Sequence, residues 1–432
     1  MRLQLSSTFE SLKTRNYRLF ASGQVVSLVG RWMQIIAIDW LVLEMSGDSG
    51  TALGFVMAIQ FMPVLLLSLV GGKLADRYDK RLLLLIANIA WLALSTGLAT
   101  LVLTGAAALW HIFVFAGMLG TVNALETPVR QAFVSEMVEP ELLPNALALS
   151  SATFNSARII GPSLAGVLIA VFGSGTVIAI NAIAYVAPLI CLLMMAVDQL
   201  HRSPVRPTDT RISEGVRYTM RRSDLVLPLA LMFVIGGLGF NFPITLALLA
   251  KTVFNTGPET FGVLSTMLAV GALAGALASS KRRERPTAHV VIGAAAMFGI
   301  LEIVVAFSPT FWAASLLLIP TGFFMIYVAQ AANQRVQLGV SPQFRGRVMS
   351  LYILVFLGST PLFAPLIGWF GEVIGPRSGL WIGGAAGLAA AAVAFAVRCH
   401  RRGVHVRVNV RPRLRIRLIE TEHSTPAVEQ PA

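Results

Sequence analysis

Charge is what this chain lacks. Of its 432 residues, 13% are Asp, Glu, Lys or Arg, while 56% are hydrophobic. A soluble domain carries about 25% charged residues, so a fully hydrated surface is excluded. Two cysteines, Cys191 and Cys399, supply neither a disulfide framework nor a metal-ligand spacing. The six histidines lie mainly in loops and the tail, and no His-Glu-x-x-His pattern, Ser/His pairing or acidic pair in a shared site is visible. No catalytic residue, metal or cofactor is therefore expected, and an intramembrane enzyme is disfavoured. No nucleotide-binding glycine loop is present, which argues against ATP drive within the chain. The stretch Met1 to Phe20 carries Arg2, Lys13, Arg15 and Arg18 without a cleavable signal pattern. Its spacing predicts a short amphipathic helix leading into the first apolar run.

Long apolar runs are what the chain has instead. Twelve read as membrane spans: 17–45, 52–73, 82–104, 110–135, 145–172, 176–198, 225–250, 260–280, 288–307, 310–335, 347–372 and 378–399. Most reach the ~20 residues that cross a ~30 Å hydrocarbon core. Each must be helical, because hydrocarbon offers backbone polar groups no partner. The predicted fold is an all-α membrane protein with twelve transmembrane helices in two six-helix bundles. Residues 1–16 form an N-terminal segment, 17–199 and 225–399 the bundles, 200–224 the central loop and 400–432 the tail. Within the loop, Ile212 to Arg222 predicts an amphipathic surface helix, after a break at Pro204 and Pro207.

The net charge of +13 is distributed very unevenly. Nearly all Lys and Arg fall in one alternate set of gaps, with Lys251 and Arg377 in the other. Basic loops stay on the cytoplasmic side during insertion, so both termini are expected in the cytoplasm and the chain in the cytoplasmic membrane. The same charge predicts contact with anionic lipid at the basic loops and tail rather than with nucleic acid.

The two halves look duplicated. Gly72-Lys73-Leu74-Ala75-Asp76 matches Gly275-Ala276-Leu277-Ala278-Ser279 at an offset of 203, and Pro140 to Asn145 matches Pro342 to Arg347 at 202. Such internal repeats build many secondary transporters, with the substrate site between them at mid-membrane. In the loop after the second span, Gly72 is expected to permit close helix contact, while Asp76, Arg77, Lys80 and Arg81 form a charge network. The second copy keeps Lys281-Arg282-Arg283 but has Ser279 and Ser280 in place of Asp and Arg.

The loop Gly72 to Arg81 resembles the signature of the major facilitator superfamily, with Asp79 where a glycine is usual. Pro128-Val129-Arg130-Gln131-Ala132-Phe133-Val134, Leu143 to Leu149, and Arg345-Gly346-Arg347-Val348-Met349-Ser350 resemble its branch of macrolide-efflux and enterobactin-export proteins. In the fifth span, Gly161, Pro162 and Gly166 resemble the Gly-Pro motif of its exporters and antiporters; ordinary tight helix packing is the alternative. The resemblance implies a central cavity lined by the first, fourth, seventh and tenth spans.

Ionisable residues at bilayer depth are functional candidates. Gln24, Ser27, Arg31 and Gln34 share one face of the first span, expected to line the cavity. Ser151, Asn155 and Arg158 repeat the arrangement in the fifth. Asn123, Glu126 and Arg130 share a face of the fourth. Glu126 is the leading proton-coupling candidate, against a structural ion pair with Arg130 or Arg158; Asp39 is the second. Asn241 on the seventh span and Gln330 and Gln334 on the tenth complete the cavity candidates. Glu302, mid-span in the ninth helix, reads as a structural residue, protonated or locally bonded. The alternating tail, Arg407 to Arg417, has a strand-like period but no evident partner strand, so a lipid-hugging basic tail is expected. Together these readings predict a monomeric, proton-coupled exporter of a small organic molecule (drug, macrolide or siderophore). An importer, a lysophospholipid flippase or a non-transporting receptor or scaffold are the alternatives.

Overall fold

The computed structural model describes residues 9–201, 212–280, 282, 284–341, 344–402, 404–409 and 415–420. Among the described residues, eleven continuous helices are long and apolar enough to cross a membrane. One of them, Leu143–Leu193, has 51 residues and would be about 76 Å long if straight, over twice the hydrocarbon thickness. It breaks at Gly173, with φ 81° and ψ 164°, a conformation open only to glycine. The helix therefore holds two spans, and the chain crosses twelve times. The twelve are α1 (Arg15–Ser46), α2 (Gly50–Arg77), α3 (Lys80–Leu103), α4 (Leu109–Met137), α5 and α6 (before and after the break in Leu143–Leu193), α7 (Ser223–Val253), α8 (Pro258–Ser280), α9 (Ala288–Ala306), α10 (Phe311–Gly339), α11 (Arg345–Val373) and α12 (Ser378–Arg402). The expected surface helix is present as Ile212–Met220.

Four local expectations are corrected. Among the described residues before α1, Phe9 to Thr14, there is a 3-10 turn at Glu10–Lys13 followed by extended Thr14, and the α-helix begins at Arg15; Met1 to Thr8 lie outside the described residues. In the signature loop the close contact belongs to Gly71, not Gly72. A Cβ on Gly71 would fall 2.8 Å from the Ala124 carbonyl and from Pro128 of α4, whereas Gly72 faces open space. Among the described residues, Asp76 also makes no ion pair with Arg77, Lys80 or Arg81. Lys80 donates to Glu136 at 2.6 Å, Arg81 donates to the Leu192 and Leu193 carbonyls that end α6, and Asp79 caps α3 by accepting from Leu82 N at 3.1 Å. The ends of neighbouring helices satisfy these groups more closely than the short loop can. In the tail, Val404–Asn409 and Arg415–Glu420 pair as an antiparallel hairpin, because the partner strand is the tail's own second half. Lys281, Arg283, Pro342, Gln343 and residues 421–432 lie outside the described residues.

The duplication is visible as a repeated helix contact. Gly120 lets α4 meet the Gln60 backbone of α2, and Gly322 lets α10 meet the Leu268 backbone of α8. Helices approach this closely only where a side chain is missing.

The bundles meet along α2–α11 and α5–α8. Gly54 of α2 sits on Ala364 and Pro365 of α11, and Gly50 on Gly368; Gly166 of α5 sits on Pro258, Glu259 and Gly262 of α8. Glu372 accepts from Thr51 N at 3.0 Å, Thr51 Oγ1 at 2.7 Å and the Ser49 hydroxyl. Lys251 pairs with Asp48 at 2.7 Å, and Trp40 stacks on Phe261. Midway along, Leu65 meets Gly358 and Thr266 donates to the Ile159 carbonyl. None of these contacts reaches the end that carries the basic loops. The bundles are thus closed together at the far end.

Candidate functional site

The strongest charge cluster forms inside the N-terminal bundle. Glu126 of α4 is held by Arg31 of α1 at 2.7 Å and by Arg130, one turn along α4, at 3.1 Å. Trp91 of α3 donates its indole N–H to the same carboxylate at 3.3 Å. Arg31 also donates to Asn123 Oδ1 at 3.2 Å and to the Tyr185 hydroxyl at 3.4 Å. Its guanidinium lies 4.5 Å from the Trp91 ring centre, and Trp91 in turn stacks on Tyr185. Three helices (α1, α3 and α4) thus converge on one carboxylate, and α6 joins them through Tyr185 on Arg31 and Trp91. The Glu126 side chain is 3% exposed, while those of Arg31 and Arg130 are 15% and 17% exposed. Two cations and one anion leave the cluster with an excess positive charge. Sequence reasoning expected Arg130 or Arg158 beside Glu126; Arg31 takes the place of Arg158. It missed Trp91 and Tyr185, since nothing in their spacing signals a role and they come from outer helices.

The polar face of α1 turns mostly into its own bundle rather than toward a cavity. Gln34 accepts from Ser95 at 2.8 Å and from Asn181, forming a buried knot between α1, α3 and α6. Ser27 is buried too. Ser27 donates back to the Gln24 carbonyl of its own helix at 3.4 Å, and in the knot Gln34 Nε2 and Asn181 Oδ1 stay without a partner among the described residues. On α5, Asn155 donates back to the Ser151 carbonyl at 2.8 Å, and Arg158 Nη2 is buried with no hydrogen-bond partner among the described residues. On the same helix Gly161 abuts Val29 and Met33 of α1. The Gly161-Pro162-Gly166 stretch therefore packs between α1 on one side and α8 on the other.

In the C-terminal bundle, Asn241 lies at a break in α7. Pro243 has no N–H, and the chain passes through a π-turn at Ile235–Gly239 before resuming at Phe242. Asn241 donates back to the Gly237 carbonyl, leaving its own Oδ1 buried and unbonded. Gln330 is exposed on α10, and Gln334 donates weakly to Ser279 O at 3.4 Å. Glu302 is 1% exposed and sits in a cradle between Gly239 of α7 and Gly383 of α12. Its Oε2 has no partner among the described residues, so no local bond is seen there.

Asp39 is the second buried carboxyl without compensation. It is 2% exposed, and its Oδ2 has no partner among the described residues. It lies in the half of α1 beside Trp40, where the bundles are closed. The structure thus separates the two carboxyl candidates: Glu126 is clamped by cations, and Asp39 has none among the described residues.

The family model for transmembrane secretion effectors matches residues 6–416. The staphyloferrin A transporter of Staphylococcus aureus is 30% identical over 269 residues, covering 61% of this chain and 66% of that protein, just under two thirds of its length. The multidrug efflux pump Tap of Mycobacterium tuberculosis is 25% identical over 81% of this chain and 85% of its own. Among solved structures, a bacterial homologue of the lysosomal transporter Spinster, in an inward-facing and unoccupied conformation, superimposes with a TM-score of 0.68 at 13% identity. It covers 88% of this chain and 94% of its own, a likeness of fold. With twelve crossings, a repeated bundle contact and a match over nearly its whole length, the chain belongs to the major facilitator superfamily of membrane transporters, in the transmembrane secretion effector family.

Proposed function

We propose that the chain exports a small organic molecule (a drug, a macrolide or a siderophore) in exchange for protons, with its basic loops and termini in the cytoplasm. The basic-loop asymmetry supports that orientation. In it, the closed far end is the outer end. The family match and the two relatives, one named for drug efflux and one for a siderophore, support export of such molecules.

The observation that carries proton coupling is Asp39, a buried carboxyl with no counter-charge. An uncompensated charge at membrane depth is unfavourable by about 2.5–3.5 kcal/mol on insertion scales. A carrier with Asp39 ionised and nothing bound to it therefore reorients poorly. Either a proton or a hydrogen-bond donor on the substrate can compensate it, and that competition is what exchange requires. Asp39 lies eight residues beyond Arg31 on α1, about 12 Å along the axis, so a small molecule can reach from one to the other. Arg31 and Arg130, on the open side of Glu126, would take the acceptor end of the substrate. Glu126 holds the two arginines in place.

Proteoliposomes with an imposed pH gradient and a panel of candidate compounds test this. An acidic lumen should drive accumulation of the true substrate as protons leave. Accumulation that needs an alkaline lumen, or that ignores the gradient, would overturn the exchange reading.

A further inference from the structure

A cleft of about 960 Å³ runs between α7 and α12 at the basic-loop end of the C-terminal bundle. It lies outside the N-terminal bundle that holds the Glu126 cluster and Asp39. Its walls are apolar: Leu227, Ala230 and Val234 on α7, and the face from Ala386 to Val397 on α12. Small residues on α12 leave the space, and Val393 and Val397 remain 63% and 46% exposed, so the cleft is open along its side. From Ala386 to Val397 it runs about 16 Å. One leaflet of hydrocarbon is about half of ~30 Å, so the slot has the length of one leaflet.

Charge marks one end. Arg221, Arg335 and Arg398 line the cleft there with a single carboxylate, Asp224. Asp224 is already bridged by Arg222 at 2.8 Å and Arg285 at 2.7 Å. Arg221 is exposed and carries no ion pair among the described residues. Arg335 donates to the Pro286 carbonyl at 2.8 Å and Arg398 to His289 at 3.3 Å, so the end that meets the membrane surface lines up three arginines against one carboxylate, with Arg221 the most accessible, and the rest is apolar.

We propose that this cleft binds one anionic phospholipid, its phosphate at the Arg221–Arg335–Arg398 end and an acyl chain along the α7–α12 walls. Basic pockets between transmembrane helices at this level suit anionic headgroups. The chain's own tail is a poor occupant, because Arg407, Arg411, Arg413, Arg415 and Arg417 carry the same sign as the mouth. A second copy docked face to face would bring arginines onto arginines. The inference needs only the membrane setting and is independent of transport direction and coupling.

Native mass spectrometry of the full chain, extracted in mild detergent and titrated with phosphatidylglycerol or phosphatidylcholine, tests it. One phosphatidylglycerol should stay bound under conditions that strip phosphatidylcholine. Arg221→Gln should weaken its retention about five-fold, the effect of one basic residue at a membrane surface. Ala389→Phe, which fills the exposed wall, should abolish it, while both variants melt like the parent in lipid-free detergent. A destabilised Ala389→Phe leaves the Arg221→Gln result to decide. Equal retention of both lipids, no effect of Arg221→Gln, or a dimer peak that Ala389→Phe removes would each overturn the proposal, the last by assigning the cleft to a second copy.

Discussion

Replacing Glu126 with Gln removes the one negative charge that Arg31 and Arg130 share. The carboxylate meets them at 2.7 and 3.1 Å, and Trp91 and Asn123 complete the cluster without adding charge. Breaking a buried ion pair by deleting one partner costs about 3–5 kcal/mol, because the surviving charge is left uncompensated. Both arginine side chains keep an open side, at 15% and 17% exposure, and water there offsets part of the loss, so about 2–3 kcal/mol is expected. For a bundle of this size that corresponds to a melting point lower by roughly 5–10 °C. Thermal unfolding in detergent, followed by intrinsic fluorescence, reads this directly. The double variant Arg31→Gln/Glu126→Gln should be less destabilised than Glu126→Gln alone, since it removes one of the stranded cations. If Glu126→Gln melts within a degree of the parent, or if the two substitutions simply add, the cluster does not hold the helices together as argued. A Glu126→Gln protein that keeps its fold and substrate exchange but loses gradient-driven accumulation would move the coupling role from Asp39 to Glu126.

Asp39→Asn should keep gradient-independent substrate exchange and lose accumulation against a gradient by at least ten-fold; undiminished gradient-driven uptake in proteoliposomes would contradict the role given to Asp39. Gly71→Ala should destabilise the α2–α4 contact by about 1–3 kcal/mol, since its Cβ would press on Ala124 and Pro128. Gly72→Ala, which meets nothing within 4 Å, should melt like the parent. Glu372→Gln weakens the bonds to Ser49 and Thr51 that join the bundles. It should raise maleimide labelling of a cysteine placed at position 365, beneath that contact, and unchanged labelling would mean that Glu372 does not latch the far end.

The difference between the two glycines shows where sequence reasoning ends. Gly71 and Gly72 are adjacent and equally eligible for a close contact, and only the rotation of α2 against α4 selects the first. The same holds for the polar face of α1. Its period was legible, and so was the fact that Arg31, Ser27 and Gln34 could not face lipid. Whether they face a cavity or the bundle's own interior depends on Ser95, Asn181, Trp91 and Tyr185, which lie tens of residues away on helices that periodicity cannot orient. The strand pairing of the tail escaped because Arg415–Glu420 lies further along the same alternating tail, and alternation alone names no partner.

The sequence by itself determined the membrane setting, the twelve crossings, the duplicated halves and the level of each buried charge, because the bilayer imposes one rule on every segment: bury apolar length and satisfy the backbone within it. Only the tertiary structure decided which charges meet. Partner choice among buried groups depends on helix rotation and approach to within an ångström, and hydrophobic length carries no information on either. That is why Glu126 is clamped between Arg31 and Arg130 while Asp39, a carboxyl just as buried, has no cation beside it among the described residues.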